Sequence, residues 1–436
     1  MPRSLPVALV LAALLLLPLG ACGDTDKGTG SGSGAGTDTA GAPPADGSPN
    51  GTELAANAGV DADAVKAAME RGRAFLLAQQ DASGAFGDPA AGGVDTGYTG
   101  MAVMGLVGSM SKDEVRSNEA IKKALAWMVS QQKEDGSIWD KPIFTNYHTS
   151  SAVGALAAAR VPEFATAQAK ARAFLVASQI AGDESDPSYG GFPYKQQLTG
   201  APADLSNMQI AAQALKDDGG VPADSPVWAR MQRYLRRVQN SSETNDWTAT
   251  MEIDGEQREV VPADDGGGFY NPAHVAKDFK AGLVQRSDGR YEPRSYGSMS
   301  YALLKCLLFA GVPAGDPRVE RVVKWVSEHW TVERNPGFEH TTDAAKSSRK
   351  GWFYYLYTAS RALDEYENVT GKPLTVRDAD GRPHAWRKEM ADVLIGLQGE
   401  DGSWHNPDDD SWDEGSKVLG TAYALQTLAI LVNRLP

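Results

Sequence analysis

The sequence predicts an all-α fold, an (α/α)6 toroid in which six outer and six inner helices alternate along the chain and close into a double ring. Amphipathic segments that end in Gln recur, and more apolar segments lie between them. No stretch shows the alternation of polar and apolar residues that marks a half-exposed sheet. An open solenoid needs atypical polar repeats at its ends, whereas here the first and last copies are the most regular. We therefore expect a closed ring.

Residues 1–21 are expected to be a signal peptide. Arg3 supplies a positive charge, and the apolar run over 7–17 is too short to span a bilayer. The segment Leu19-Gly20-Ala21-Cys22 is similar to the cleavage motif of bacterial lipoproteins. This resemblance implies lipid attachment at Cys22 and a protein anchored on the extracytoplasmic face of the bacterial cell envelope. The alternative is an ordinary secretory signal.

Residues 22–60 are expected to be a disordered tether, and residues 61–436 the toroid. The tether is rich in Gly, Ser, Thr and Asp and has too few apolar side chains to offset the entropy of ordering. The net charge of −14 argues against a nucleic-acid partner. Cys306 has no cysteine partner in the folded part, and its apolar context predicts a buried thiol.

The outer helices are predicted from amphipathic segments. In the first segment, apolar residues recur at steps of three and four from Val65 to Gln79. Three such segments end in Gln, three residues, Gly, one residue and a large apolar or aromatic side chain, and the Gly suits a turn with positive φ after a helix. The frames are Gln80–Gly84, Gln132–Gly136 and Gln398–Gly402, and looser copies of the helix lie at 167–179, 226–239 and 317–330.

The inner helices are predicted from segments that are apolar on nearly all sides, as helices packed in the middle of a fold are. They start near Thr96, Thr145, Ala203, Arg294, Lys350 and Lys417. The polar stretch 240–285 is an insertion in this pattern. Its residues 245–259 are expected to form a short hairpin over the rim of the ring, either as a lid or as decoration.

The Gln–x3–Gly–x–aromatic frame resembles the QW repeats of squalene and oxidosqualene cyclases. The helix order is similar to that of protein prenyltransferase β subunits. The best copy runs from Gln398 to Trp404, and Gln80–Phe86 and Gln132–Trp139 are close variants. The resemblance covers residues 61–436. It implies a toroid whose turns tie neighbouring repeats together, with the Gln side chain near the next helix end and the aromatic ring stacked on it.

The catalytic signatures of those families are not found. The Asp-x-Asp-Asp acid of the cyclases has no counterpart, since Asp408-Asp409-Asp410 is followed by Ser411 in a polar loop and Asp264-Asp265 by three glycines. The zinc set of the prenyltransferases is missing as well, because Cys306 has no acidic partner before it. No metal and no cofactor are expected, and whether the chain is an enzyme stays open.

The candidate site is the mouth of the ring, where the inner helices begin. Aromatic rings and a few carboxylates there suit either an apolar chain or the face of a sugar, although Asp and Asn are also common helix caps. The candidate ligand-binding residues are Asp95, Tyr98, Tyr147, His148, Asp204, Asn207, Tyr270, Tyr296, Tyr301, Lys305, Tyr354, Tyr355, Trp412 and Glu414. Further loop residues expected at the rim are Tyr189, Phe192, Tyr194, Phe269 and Asn271.

Two of these candidates lead to separate predictions. His148 is the only histidine at the start of an inner helix, and it is either a hydrogen-bonded scaffold residue or a catalytic base. Lys305 lies within an apolar inner segment. Because long charged side chains are rarely buried unpaired, Lys305 is expected either to pair with a carboxylate or to reach into the cavity.

Three hypotheses of function follow. The first is a binding or scaffold module that holds an elongated apolar or glycan ligand in the central cavity. The second is an enzyme, a lyase or hydrolase, on extracellular polysaccharide, which paired acids in the cavity would favour. A terpene cyclase with a relocated acid ranks third and needs a buried carboxyl group with a raised pKa. The expected partners are the membrane, through Cys22, and this ligand.

Overall fold

The computed structural model describes residues 59–194, 202–272, 275–340 and 349–432, all within the unit Thr52–Pro436. The predicted signal peptide, the lipidation site Cys22 and nearly all of the tether lie outside the described residues, so their boundaries stay predictions. Within the described ranges, no helix combines the length and the apolar character needed to cross a membrane.

The described helices are numbered in chain order. They are α1 (Ala62–Ala78), α2 (Thr96–Gly108), α3 (Lys112–Ser117), α4 (Glu119–Ser130), α5 (Thr145–Ala159), α6 (Ala165–Ser178), α7 (Leu205–Asp218), α8 (Pro226–Arg237), α9 (Gly297–Phe309), α10 (Pro317–Glu328), α11 (Trp352–Thr370), α12 (Trp386–Leu397) and α13 (Lys417–Val432). Apart from the short α3, the predicted outer and inner helices alternate along this series.

Six inner helices in the described part of the chain form a closed ring. They pack side by side in chain order, α2 on α5, then α7, α9, α11 and α13, and α13 packs back on α2. The outer helices α1, α4, α6, α8, α10 and α12 pack around them, with α1 against α13. Most side chains of the inner helices are buried, as predicted for this layer. The fold is an (α/α)6 toroid.

The Gln residues of the repeat join neighbouring outer helices. Gln80 Nε2 donates to the carbonyl oxygen of Gly84 in its own turn and to that of Ala120 in α4, each at 2.8 Å. Each Gln therefore satisfies one carbonyl of its turn and one near the start of the next outer helix. The same pair of bonds, at 2.9–3.1 Å, recurs at Gln132, Gln179 and Gln239.

The last of these turns joins the end of the ring to its beginning. Gln398 Nε2 donates to the carbonyl oxygens of Gly402 and of Ala68 in α1, each at 2.9 Å. Gly402 has φ +83°, and a Cβ there would lie 2.7 Å from the backbone oxygen of Arg71. Glycine is required at this position because the turn approaches α1 so closely. The Trp404 ring also packs against α1 and donates to a carbonyl of α12.

The structure contains more strand than the sequence predicts, mainly in the insertion and in the residues just after it. The described strands are β1 (Gly87–Asp88), β2 (Gly93–Val94), β3 (Ala249–Ile253), β4 (Glu256–Val260), β5 (Leu283–Gln285), β6 (Tyr291–Pro293), β7 (Val376–Arg377) and β8 (Pro383–His384). β3 and β4 form the expected hairpin, but they belong to a four-stranded sheet of order β3-β4-β6-β5. β5 and β6 are only three residues long, too short for a period of two to show. The sheet covers a small core of its own, formed by Trp247, Met251, Val260, Phe269 and Phe279.

Candidate functional site

A cavity of about 210 Å³ lies where the inner helices begin. Every inner helix contributes to its wall from the N-cap or the first two turns, and loop residues complete it. The lining residues are Asp95, Tyr98, Phe144, Tyr147, His148, Tyr194, Ser206, Ile210, Tyr270, Lys280, Tyr296, Met299, Tyr354, Trp412, Asp413, Leu419 and Tyr423. The predicted candidates among them are Asp95, Tyr98, Tyr147, His148, Tyr270, Tyr296, Tyr354 and Trp412.

The other predicted candidates are not part of the wall: Asp204, Asn207, Tyr301, Lys305, Tyr355 and Glu414. For Tyr301 and Tyr355 the reason is helical phase. At about 100° per residue, Tyr301 points about 160° away from Met299, which lines the cavity on α9, and Tyr355 about 100° away from Tyr354. The rings of Tyr301 and Tyr355 pack edge to face at 5.7 Å, and the Tyr355 hydroxyl donates to the backbone oxygen of Thr331 at 2.7 Å. Both are core residues.

Asp204, Asn207 and Glu414 lie behind the wall, where they satisfy helix ends. Asp204 accepts from the backbone N and from Nδ2 of Asn207, each at 2.8 Å, at the start of α7. Glu414 accepts from the backbone N of Tyr354 at 2.7 Å and from Nδ2 of Asn406 at 2.9 Å. Burial raises the pKa of Asp204 to about 6 and that of Glu414 to about 7, against these hydrogen bonds.

Lys305 follows neither of its two predicted alternatives. Its side chain is fully buried in the middle of α9, it does not line the cavity, and its ammonium group donates to two amide oxygens, those of Gln209 and Gln213. Two glutamines on α7 thus take the place of the expected carboxylate. Cys306, next to it, is buried as predicted, and burial raises the pKa of its thiol to about 12.

The His148 imidazole lies between two carboxylates. Its Nδ1 is 3.1 Å from Asp140 Oδ1, and its Nε2 is 4.0 Å from Asp95 Oδ1. Burial opposes ionisation of Asp140, yet the His148 contact and hydrogen bonds from the backbone N and Oγ1 of Thr96 hold the pKa of this carboxyl well below its usual range. The Asp140 carboxylate thus contacts the imidazole at the edge of the cavity.

Two carboxyl groups of the lining differ in their surroundings. Asp95 caps α2 by accepting from the backbone N of Tyr98 at 2.8 Å, and Lys141 Nζ lies 3.0 Å from its other oxygen. Asp413 is exposed as a residue. Partial desolvation of its carboxyl at the cavity nevertheless raises its pKa, and the negative charge of Asp95 raises it further, whereas Lys141 and a hydrogen bond with Tyr98 lower it. A carboxyl that retains its proton to higher pH can serve as a general acid.

Asp413 lies on strained backbone that the sequence did not reveal. Trp412 and Asp413 have φ values of 60° and 63°, in the left-handed region that non-glycine residues rarely adopt. The Trp412 ring packs against Gly351, where a Cβ would be 2.0 Å from the ring. Tertiary packing of this kind leaves no local pattern in a sequence. The available signal was position alone, because Asp413 lies between the predicted residues Trp412 and Glu414.

Aromatic side chains dominate the wall. The ring centres of Phe144 and Tyr194 are 5.9 Å apart, and those of Tyr354 and Tyr423 are 6.0 Å apart. Lys280 Nζ lies 5.0 Å from the centre of the Tyr270 ring. Besides Asp413, the lining residues that the sequence analysis missed are Phe144, Ser206, Ile210, Lys280, Met299, Leu419 and Tyr423. Several of them lie one turn further into helices that were correctly predicted. Across the described residues, no three His, Cys, Asp or Glu side chains are placed to hold a metal ion.

Solved structures of distant sequence share the fold. The type II terpene cyclase MstE from Scytonema, in complex with merosterolic acid A, matches with a TM-score of 0.50 and 16% identity over 86% of this chain and 99% of that chain. An unsaturated glucuronyl hydrolase specific for heparin matches with a TM-score of 0.50 and 11% identity, over 85% of this chain and 97% of that chain. A family 76 glycoside hydrolase from a bovine Bacteroides thetaiotaomicron strain matches with a TM-score of 0.52 and 9% identity, over 85% of this chain and 78% of that chain. These likenesses show the fold alone. No protein-family model and no curated protein sequence matches the chain.

Proposed function

We propose that the cavity binds a sugar unit of an extracellular polysaccharide and hydrolyses its glycosidic bond. The observation that carries this proposal is the pair of carboxyl groups, Asp413 and Asp95, in one aromatic cavity. Asp413 donates its proton to the glycosidic oxygen as the bond to the anomeric carbon breaks. Asp95 takes a proton from the water that attacks this carbon. His148, which contacts Asp140, lies beside Asp95 in the cavity wall and supplies a hydrogen bond to the sugar.

The wall suits a sugar better than a polyene. Seven of its side chains are tyrosines, whose rings offer apolar faces and whose hydroxyls offer hydrogen bonds. A hydrocarbon ligand would offer no hydrogen bonds to the tyrosine hydroxyls or to the Asp95, Asp413, His148 and Lys280 side chains that it covers, whereas the hydroxyl groups of a sugar can replace the water that these groups lose. Among the fold neighbours, two are named as glycan-acting hydrolases and one as a terpene cyclase, so the fold itself does not decide.

The experiment is an assay of the full chain on neutral and uronate-containing polysaccharides, read out as released reducing ends. We expect Asp413→Asn to lower the rate about 10²–10⁴-fold, because it removes the general acid. The wild-type rate should fall as pH rises through the raised pKa of Asp413. Asp410→Asn is the matched control, since Asp410 lies in the same loop but does not line the cavity.

The same assay separates the rival functions. Affinity electrophoresis in gels that contain the polysaccharide reports binding, and ultraviolet absorbance reports the unsaturated product of a lyase. Binding without release of reducing ends would identify a glycan-binding module, the first hypothesis from the sequence. An unsaturated product would replace the hydrolase by a lyase. A wild-type chain that neither binds nor cleaves any glycan would refute the proposal.

We also propose that Cys22 carries a lipid that anchors the chain outside the cytoplasm. The motif Leu19-Gly20-Ala21-Cys22 and the Gly/Ser-rich segment after it support this proposal. Expression of the full chain in a bacterium should place it in the membrane fraction, and Cys22→Ser should leave it uncleaved and without lipid by mass spectrometry. A wild-type chain that is cleaved elsewhere, or that carries no lipid, would contradict the anchor.

A further inference from the structure

A buried hydrogen-bond chain connects the centre of the toroid to the cavity. It starts at Lys305, whose side chain is fully buried in α9. The Lys305 ammonium group donates to Oε1 of Gln209 and, at 2.7 Å, to Oε1 of Gln213. It also lies 5.5 Å from the centre of the Tyr357 ring. A lysine with amide oxygens as partners at the centre of a fold is unusual, because buried lysines are normally paired with an acid.

The chain reaches the cavity through one amide. Gln209 Nε2 donates to the hydroxyl oxygen of Tyr354 at 2.9 Å, and Tyr354 lines the cavity. Lys305 occupies the oxygen of this amide, so the amide must present its NH2 group to Tyr354. The phenol oxygen therefore accepts, and its own proton is left for Ser206 Oγ, 3.0 Å away, or for a ligand. Hydrogen bonds in such a chain polarise one another, which strengthens the last donor.

The charged and titratable groups around Lys305 come from three helices. Asp217 on α7 and Arg361 on α11 bind each other, and Tyr357 on α11 donates to the Gln213 oxygen at 3.1 Å. Cys306 is the neighbour on α9. The pKa of Lys305 is lowered to about 7: burial is the main cause and the charge of Arg361 adds to it, whereas Cys306 and Asp217 act in the opposite direction. The ammonium therefore gains or loses its proton near neutral pH.

We propose that Lys305 is a positioning residue for the cavity: through Gln209 it orients the Tyr354 hydroxyl as a hydrogen-bond donor to an oxygen atom of the bound ligand. The donor is strongest while Lys305 is charged and weakens when the ammonium loses its proton. Lys305 itself touches no ligand. The assignment goes beyond the proposed hydrolysis, because it holds whether the cavity cleaves its ligand or only binds it.

Nuclear magnetic resonance of the full-length protein tests the hydrogen-bond connection from Lys305 to Tyr354 without a substrate. The probes are 13Cζ-labelled tyrosine and 13Cε-labelled lysine, assigned with Tyr354→Phe and Lys305→Met. In the wild type, we expect the Tyr354 signal to change with the same pH midpoint as the Lys305 signal, near 7. In Lys305→Met, this step in the Tyr354 signal should disappear. Lys216→Met, which removes an exposed lysine of α7, should leave the step unchanged.

A second variant keeps the proposal testable if Lys305→Met does not fold. Gln213→Glu places a carboxylate against the ammonium, which favours its charged form, and leaves the Gln209 amide in place to donate to Tyr354. We expect the Lys305 midpoint, and the Tyr354 step with it, to move to higher pH by at least one unit. The proposal would be overturned if the pH dependence of the Tyr354 signal were the same in the wild type and in both variants. It would also be overturned if the Lys305 signal showed no change of protonation over the pH range of the titration.

Discussion

The proposed acid lies on strained backbone that side-chain packing holds in place. Trp412 and Asp413 are both in the left-handed region, which costs about 1–3 kcal/mol for each such residue. The strain persists because the Trp412 ring is packed against Gly351 and lies edge to face with Tyr354 at 6.4 Å. The position of the Asp413 carboxyl therefore depends on a glycine about sixty residues earlier in the chain.

Gly351→Ala should displace this loop. Gly351 has φ +64°, and the new Cβ would lie 2.0 Å from the Trp412 ring, so we expect a loss of about 2–4 kcal/mol of unfolding free energy. Gly371→Ala is the matched control, since Gly371 has φ +66° but a Cβ added there would meet no atom within 4 Å, and this change should cost only about 1 kcal/mol. Urea unfolding measures both. Equal losses would mean that the Trp412 contact contributes nothing.

Lys305 should make the stability of the chain depend on pH. Its pKa falls from the ordinary value of 10.5 to about 7 on folding, so between these values the unfolded chain holds a proton that the folded chain has lost. The free energy of unfolding should therefore rise with pH in this window, by about 1.4 kcal/mol per pH unit. Urea unfolding from about pH 6 to about pH 9 should show this rise relative to Lys305→Met. Parallel curves for the two proteins would contradict the prediction.

At the scale of elements, the Gln turns are the repeated joint of the outer layer. Five glutamines each tie their own turn to the next outer helix. The last of the five, Gln398, ties its turn to α1. Between α10 and α12 the frame lacks its Gln. There, Trp330 Nε1 donates to Glu389 Oε2 of α12 at 2.7 Å. One junction thus uses an indole and a carboxylate for the same purpose.

Gln398→Leu should destabilise the protein by about 1–3 kcal/mol, because two carbonyl groups lose their donor. Gln80→Leu removes the equivalent pair of bonds between repeats that are consecutive in the chain. We expect Gln398→Leu to cost more, since Gln398 Oε1 also accepts a hydrogen bond from Arg71 of α1. Thermal unfolding of both variants gives the comparison. A larger loss in Gln80→Leu would show that the contact with Arg71 adds nothing.

The helices and the Gln contacts were predictable because both leave a periodic record in the sequence. Which side chains of these helices point into the cavity was harder to predict. Tyr296 and Tyr354 line the wall whereas Tyr301 and Tyr355 do not, and the difference depends on helix starts that a sequence defines only to within a residue or two. The partners of Lys305 were not predictable at all, because Gln209 and Gln213 lie on another helix.

At the scale of the whole molecule, closure makes every repeat an internal one. In an open array, each repeat contacts only its neighbours, and the ends unfold most easily. Here α13 packs on α2 as well as on α1, so the first and last repeats are held like the others. The described toroid has no exposed terminal repeat for unfolding to start from.

The ring should therefore unfold in a single transition. We expect urea curves followed by tryptophan fluorescence and by far-ultraviolet circular dichroism to coincide. Hydrogen exchange should give α2 and α13 protection close to that of α7 and α9, on the opposite side of the ring. Early loss of protection in α2 and α13 would indicate an open array.

The same closure brings the two ends of the toroid together. Arg387 at the start of α12 donates to the backbone oxygen of Ile430 at 3.2 Å, and the side chain of the next residue, Lys388, contacts Gly59. A short peptide bridge would thus join the last turn of α13 to the first residues before α1. The architecture of the ring therefore does not depend on which repeat comes first in the chain. A circularly permuted variant whose new termini lie at the exposed Asp254-Gly255 turn should fold into the same ring.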